Sequence, residues 1–144
     1  MRALFDVNVL IALFDSAHAF HQKAHDWWSA HEKDGWASCP LTENGFVRIM
    51  SNPNYSKSRE FTPSQLVGGL AQFADGTDHA FWSDGISLRD SNRFRVNRIH
   101  SSRKLTDAYL LALAVENGGC LVTFDQGIVL ESVVGAAEGN LCVL

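Results

Sequence analysis

No run of apolar residues in the sequence approaches the roughly 20 that a membrane-crossing helix requires. The richest stretch, Tyr109 to Val115, is far too short, so no membrane association is expected. Near the N-terminus Asp6 interrupts the apolar residues that follow Arg2 almost at once, and a cleaved secretory leader is not expected either. A cytoplasmic location is therefore the expectation. Cysteine is scarce. Cys39, Cys120 and Cys142 stand far apart, with no C-x-x-C pair to hold zinc and an odd number that suits no disulfide framework. Each lies in or beside a short apolar run and reads as a buried, reduced thiol. A glycine-rich phosphate loop and an H-E-x-x-H helix are also missing. His18, His21 and His25 fall on one helix, but without that motif they read as its surface and not as zinc ligands. Beyond the presence of the residue types, nothing supports a Ser or Cys triad.

What is present is enough for one hydrophobic core. A chain of 144 residues is too short to make a second domain an expectation, so residues 1–144 are read as a single domain. With 46% hydrophobic and 19% charged residues, disorder is excluded. A net charge of −4 argues at first against a polyanionic partner. The distribution says more than the sum, because six of the 12 Lys and Arg residues (Arg89, Arg93, Arg95, Arg98, Arg103 and Lys104) fall in one short segment beside a single acid, Asp90. Such a strip can hold a phosphate backbone, and a solvated loop with scattered arginines would look the same in sequence.

Short apolar runs alternate with amphipathic segments. Strands are expected at Ala3 to Phe5, Trp36 to Cys39, Ala80 to Trp82, Cys120 to Phe124 and Leu141 to Val143. Between them the apolar spacing predicts a helix carrying Val9, Leu10, Leu13 and Phe14, and a second with Phe20, Ala24, Trp27 and Trp28 on one face. Further helices carry Phe46, Val47 and Met50, then Leu66, Leu70 and Phe73 from about Pro63. Another opens at Thr106 and ends at Gly118-Gly119, and a short one holds Ile128 and Val129. Strands separated by helices imply a parallel sheet covered on its faces, whose working crevice lies beyond the carboxyl ends of the strands. The Trp27-Trp28 pair reads as core or dimer contact before it reads as a stacking platform.

Four acids stand where such a crevice would be. Asp6 leads Val9, Leu10 and Leu13; Glu43 leads Phe46, Val47 and Met50; Asp107 leads Leu110, Leu111 and Ala114; Asp125 leads Ile128 and Val129. Spacings of three, four and seven put each carboxylate on the inward stripe of its helix, in the first turn. A single acid there is readily explained as a helix cap. Four aligned with the buried stripe are harder to explain that way. Carboxylates gathered within a few ångströms repel one another unless a cation answers them. All-oxygen donors select a hard ion, Mg2+ or Mn2+, and such an ion with open positions suits phosphodiester hydrolysis.

The same residues carry a resemblance. Phe5-Asp6-Val7-Asn8-Val9-Leu10, Pro40 to Arg48 (PLTENGFVR), Leu105 to Ala114 (LTDAYLLALA) and Leu121-Val122-Thr123-Phe124-Asp125 resemble the four signature segments of PIN-domain ribonucleases, above all the VapC toxins. The match spans nearly the whole chain in the family's order. It implies an α/β, PIN-like three-layer sandwich with a parallel five-stranded sheet of order 3-2-1-4-5. It also implies a Mg2+- or Mn2+-dependent endoribonuclease, a homodimer, acting on RNA and held in check by a cognate antitoxin. By the same resemblance Asp6, Glu43, Asp107 and Asp125 are the catalytic and metal-binding acids, and Asn8 and Thr106 support them through hydrogen bonds.

Other classes fail on single residues. Haloacid-dehalogenase-like phosphatases need a second acid where Asn8 stands, and response-regulator receivers need a lysine later than Lys104, the last in the chain. A ribonuclease-H-like meander is at odds with the helix after Phe5. The remaining rivals share the expected fold: a structure-specific DNA nuclease, or a scaffold that binds RNA or protein without cutting.

Overall fold

The computed structural model describes all of residues 1–144. Its centre is a parallel sheet of β1 (Ala3–Phe5), β2 (Trp36–Ser38), β3 (His79–Phe81), β4 (Cys120–Thr123) and β5 (Leu141–Val143). The strand order is β3-β2-β1-β4-β5, as the resemblance implied. β1 pairs on both sides, Leu4 opposite Ala37 and Leu121, so it is buried end to end. A strand covered on both faces has no wet side to alternate with, which is why Ala-Leu-Phe is apolar throughout.

Side-chain alternation still sorts the strands' residues between two cores. Phe5, Trp36 and Val122 point to one face, where α1 (Val7–Phe14), α2 (His21–His31), α3 (Pro40–Met50) and α4 (Pro63–Gly76) pack. Leu4, Ala37 and Leu121 point to the other, which α5 (Leu105–Glu116) covers with Leu110, Leu111, Leu113 and Ala114. The result is the expected three-layer sandwich.

Local chemistry sets the ends of the helices. α4 begins with Pro63 at its first position and a reciprocal cap in which Thr62 Oγ1 accepts the Gln65 N–H and Gln65 Oε1 accepts the Thr62 N–H. α5 is followed by Gly118 at φ +65°, a conformation that glycine adopts without strain. α1 has no basic residue in its last turn; instead His21 and His25 of α2 reach the carbonyls of Ala12 and Leu13, at 2.7 and 3.0 Å. Those are carbonyls a helix end leaves without intrahelical partners. Just beyond, buried Asp15 ties down the segment before α4 through Tyr55 and Arg59. The pairing holds its carboxyl well below the usual range, Arg59 being the main cause.

Several expected boundaries move. Cys39 leaves β2 and precedes α3, its N–H donating to Thr42 Oγ1 at 3.0 Å. β3 begins one residue early, at His79, and β4 ends at Thr123. Phe20 is not on the face of α2 but just before it, 47% exposed and stacked on Phe124 at 4.8 Å. The short helix at Ile128 and Val129 does not form. Asp125 Oδ1 accepts the Gly127 N–H at 2.6 Å, a local bond that competes with the helical alternative, and a single 3-10 turn follows at Leu130–Ser132. Trp27 and Trp28 both meet Phe5 edge-on, so the pair belongs to the core. The three cysteines are free, as expected, and burial pushes the Cys120 thiol up to about 11.

Candidate active site

The carboxyl ends of β1, β2 and β4 lie along one edge of the sheet because the strands are parallel. Asp6 immediately follows β1 and Asp125 follows β4 by two residues, while Glu43 sits in the first turn of α3 after β2. Asp107 follows no strand. It reaches the same edge because α5 precedes β4 and runs back along the sheet, so its first turn stands at the carboxyl side.

Asp6 caps α1 and is only 7% exposed. Its Oδ1 accepts the Val7 N–H at 2.6 Å and its Oδ2 accepts the Thr123 hydroxyl at 2.8 Å. Burial nevertheless holds its carboxyl above the ordinary range, against those two bonds, and the charge of Asp125 adds to the rise. Asp107 is pushed up to about 6, by burial first and then by the charges of Asp6 and Asp125. Asp125 itself is lowered, because Lys104 Nζ donates to both of its oxygens, at 3.0 and 2.9 Å, and the Gly127 N–H adds a third bond. Three aspartates from three segments thus feel one another's charge, and the single ammonium among them is spent on Asp125.

Glu43 has partners of its own. Ser38 Oγ donates to its Oε1 at 2.6 Å, and the same hydroxyl lies 2.8 Å from His79 Nε2. A hydroxyl has one proton, and a carboxylate can only accept it, so His79 donates to Ser38 through Nε2–H. Burial lowers the His79 pKa, which favours the neutral ring. No three His, Cys, Asp or Glu side chains close into a ready-made ion cage. The donor chemistry does fit a hard divalent cation: every group is a carboxylate, and burial first, then the charge of neighbouring aspartates, holds two of the trio above the ordinary range.

Structure and sequence reading part at the supporting residues. Asn8 and Thr106 are exposed, and neither hydrogen-bonds to any of the four acids. Asn8 faces outward from the first turn of α1, while Thr106 lies one position off the inward line that Asp107 occupies. The supporting bonds come from Thr123, Ser38 and, by charge, Lys104. Thr123 and Ser38 left a faint signal in the sequence, each being a fully buried hydroxyl at the end of an otherwise apolar strand.

Comparison with known proteins supplies the family. The PIN domain model matches residues 3–132. Ribonuclease VapC44 of Mycobacterium tuberculosis is 45% identical over 144 residues, the whole of both chains. Ribonuclease VapC39 of the same organism is 38% identical over 96% of this chain and 99% of its own. Ribonuclease VapC38 is 40% identical over 88% and 86%. A crystal structure of VapBC2 from Rickettsia felis, bound to a DNA fragment from their promoter, superposes with a TM-score of 0.55 over 87% of this chain and 89% of that one. At 12% identity it speaks to the fold alone.

Proposed function

This chain belongs to the PIN-domain family, among the VapC-type toxins, and from that premise we propose that it is an endoribonuclease whose working centre is the acid cluster at the carboxyl edge of the sheet. The observation that carries the reading is the meeting of Asp6, Asp107 and Asp125, two of them held above the ordinary carboxylate range by burial and mutual charge. Asp6, Asp107 and Asp125, with Glu43 at the neighbouring strand end, would hold Mg2+ or Mn2+. When bound, such an ion supplies Lewis acidity and an activated water for attack on the phosphodiester phosphorus.

The chain's own residues do the positioning. The Val7 N–H and the Thr123 hydroxyl fix both oxygens of Asp6, so its carboxylate cannot swing. Thr123 Oγ1 also accepts the Asp125 N–H at 3.0 Å, which couples the chain after β4 to the carboxylate after β1. Ser38 and His79 keep Glu43 oriented from the far side. The first turns of α1, α3 and α5 converge on the site, and their N-terminal dipoles favour bound anions, carboxylate or phosphate.

The reading extends to partners. RNA is the substrate, a second copy of the chain completes a homodimer, and a cognate antitoxin silences the site by laying a basic side chain among Asp6, Glu43 and Asp107, as Lys104 already lies on Asp125. The whole of residues 1–144 acts as one PIN domain in the bacterial cytoplasm; no helix is long and apolar enough to cross a membrane.

The test is incubation of the purified protein with total cellular RNA in Mg2+ or Mn2+, and again in chelator, beside Asp107→Asn. Discrete fragments that require metal and vanish in the variant are expected. Cleavage that survives Asp107→Asn or chelation would remove the acid cluster from the reaction, and cleavage of flapped DNA alone would reassign the substrate.

A further inference from the structure

The basic strip that stood out in the sequence is not one surface in the structure. Arg93 is bound to Asp90 and Glu116, Lys104 to Asp125, and Arg95 to the Glu131 carbonyl. Arg98 and Arg103 pair with no acid. Arg98 lines a pocket of about 240 Å³ whose wall also takes in His100, Lys104, Asp107, Ile99 and Ile128. The exposed Arg98 and His100 form its rim, while Ile99 and Ile128 are half-buried.

The walls are braced. Phe94 and Val133 form an antiparallel bridge, both almost wholly buried, with the Arg95 N–H on the Ser132 carbonyl and the Val134 N–H on the Arg93 carbonyl, each at 2.9 Å. Ser132, 3% exposed, donates its hydroxyl to the Val129 carbonyl. The pocket is thus built before any ligand arrives.

We propose that this pocket is a subsite for one unpaired nucleotide of the RNA beside the scissile phosphate, its base lodged against Ile99 and Ile128 and its phosphate drawn to Arg98. The proposal rests on the endoribonuclease reading of the acid cluster. Because Asp107 and Lys104 belong to both the pocket and the cluster, whatever fills the one lies next to the reaction at the other. A groove for phosphate alone has no use for an apolar wall. A splayed-out base does, since it brings flat apolar faces with a polar edge, and single-stranded RNA is recognised by lodging such bases. The Arg98 guanidinium at the rim favours an occupant that carries a phosphate, as a nucleotide does.

Two variants test it, with circular dichroism to establish that each is folded. Arg98→Ala removes an exposed side chain, and Ile128→Trp fills the cavity. Binding of a short single-stranded RNA is measured in chelator across a salt series, and the ends of fragments from total RNA are sequenced in Mg2+. Ile128→Trp is expected to bind about tenfold more weakly, the order of one lost base contact. Arg98→Ala is expected to flatten the slope of log affinity against log salt by about one. Both lose the base preference at a fixed position beside the cut, whereas Arg103→Ala, outside the pocket, keeps it. If both folded variants bind RNA and choose cut sites like the parent, the subsite is refuted, the nuclease reading stands, and the pocket is left for a protein ligand. If the parent never cuts, the nuclease reading fails by itself, and binding in chelator still reads the pocket.

Discussion

Gly45 offers the sharpest test of how α3 is held against α1. It lies two residues after Glu43, and a methyl group built on it would stand 2.7 Å from Val7 Cγ2 and 3.5 Å from Cγ1. Ordinary contact begins near 3.4 Å, so the overlap is 3.4 − 2.7 = 0.7 Å. Val7 is β-branched and stiff about χ1, and turning one methyl away brings the other in. The strain must therefore push the two helices apart, and α3 carries Glu43 with it. Glycine within a helix is worth about 1 kcal/mol less than alanine, so propensity alone favours Gly45→Ala. Overpacking costs about 1–3 kcal/mol, which equals or exceeds that gain. Gly68 in α4 is the control, since a methyl there meets nothing within 4 Å. Urea unfolding should find Gly68→Ala more stable than the parent by up to about 1 kcal/mol. Gly45→Ala should be less stable by up to about 2 kcal/mol, the overpacking cost less the propensity gain. Adding Val7→Ala to Gly45→Ala should recover part of the loss, a coupling that independent sites would lack. If Gly45→Ala proves as stable as Gly68→Ala, the close approach does not exist and the argument for Glu43's placement fails with it.

Two further predictions concern the aspartates. Asp107 is held up to about 6 against an ordinary 3.8, so between those values the folded chain binds more protons than the unfolded one, and metal-free stability falls as pH rises through that window. The Tm of Asp107→Asn should therefore gain on the parent from pH 4 to 6, and saturating Mg2+ should raise the parent's Tm but not the variant's; parallel pH profiles would contradict this. Asp15, held low by Arg59, loses its contribution only below the ordinary carboxylate range, outside the window. Thr123→Val keeps the shape but removes the hydroxyl given to Asp6 and the acceptor used by the Asp125 N–H. It should cost about 1.5–3 kcal/mol in urea unfolding, as for bonds to charged groups, and raise the Mg2+ concentration needed for half-maximal cleavage. An unchanged requirement would deny Thr123 a part in holding Asp6.

The acids were legible because each heads a segment whose apolar spacing is local. Glu43 and Asp107 lie in the first turns where the three-and-four spacing put them, whereas Asp6 stands one residue before α1 as its cap; the strands around β1 were readable as short apolar runs. Asp125 was found for a partly mistaken reason: it follows β4, but the helix expected below it is replaced by its own turn with Gly127. Ile128 and Val129 offered too short a pattern to distinguish a helix from a braced loop. Phe20 was misplaced because apolar spacing cannot tell a residue just outside a helix from one on its face.

The sequence by itself determined the alternation of strand and helix, the two-faced burial of the sheet and the places of Glu43 and Asp107 at the heads of their helices, because these depend on residues within a few positions of one another. The resemblance, not the spacing, supplied the strand order. Only the tertiary structure decided what supports each carboxylate. Thr123 is 117 residues from Asp6, His79 is 41 from Ser38, and Lys104 is 21 from Asp125. Partners that far apart leave no periodicity to read. They meet because a parallel sheet brings the ends of non-consecutive strands to one edge, where burial and like charge then set how strongly each acid holds its proton.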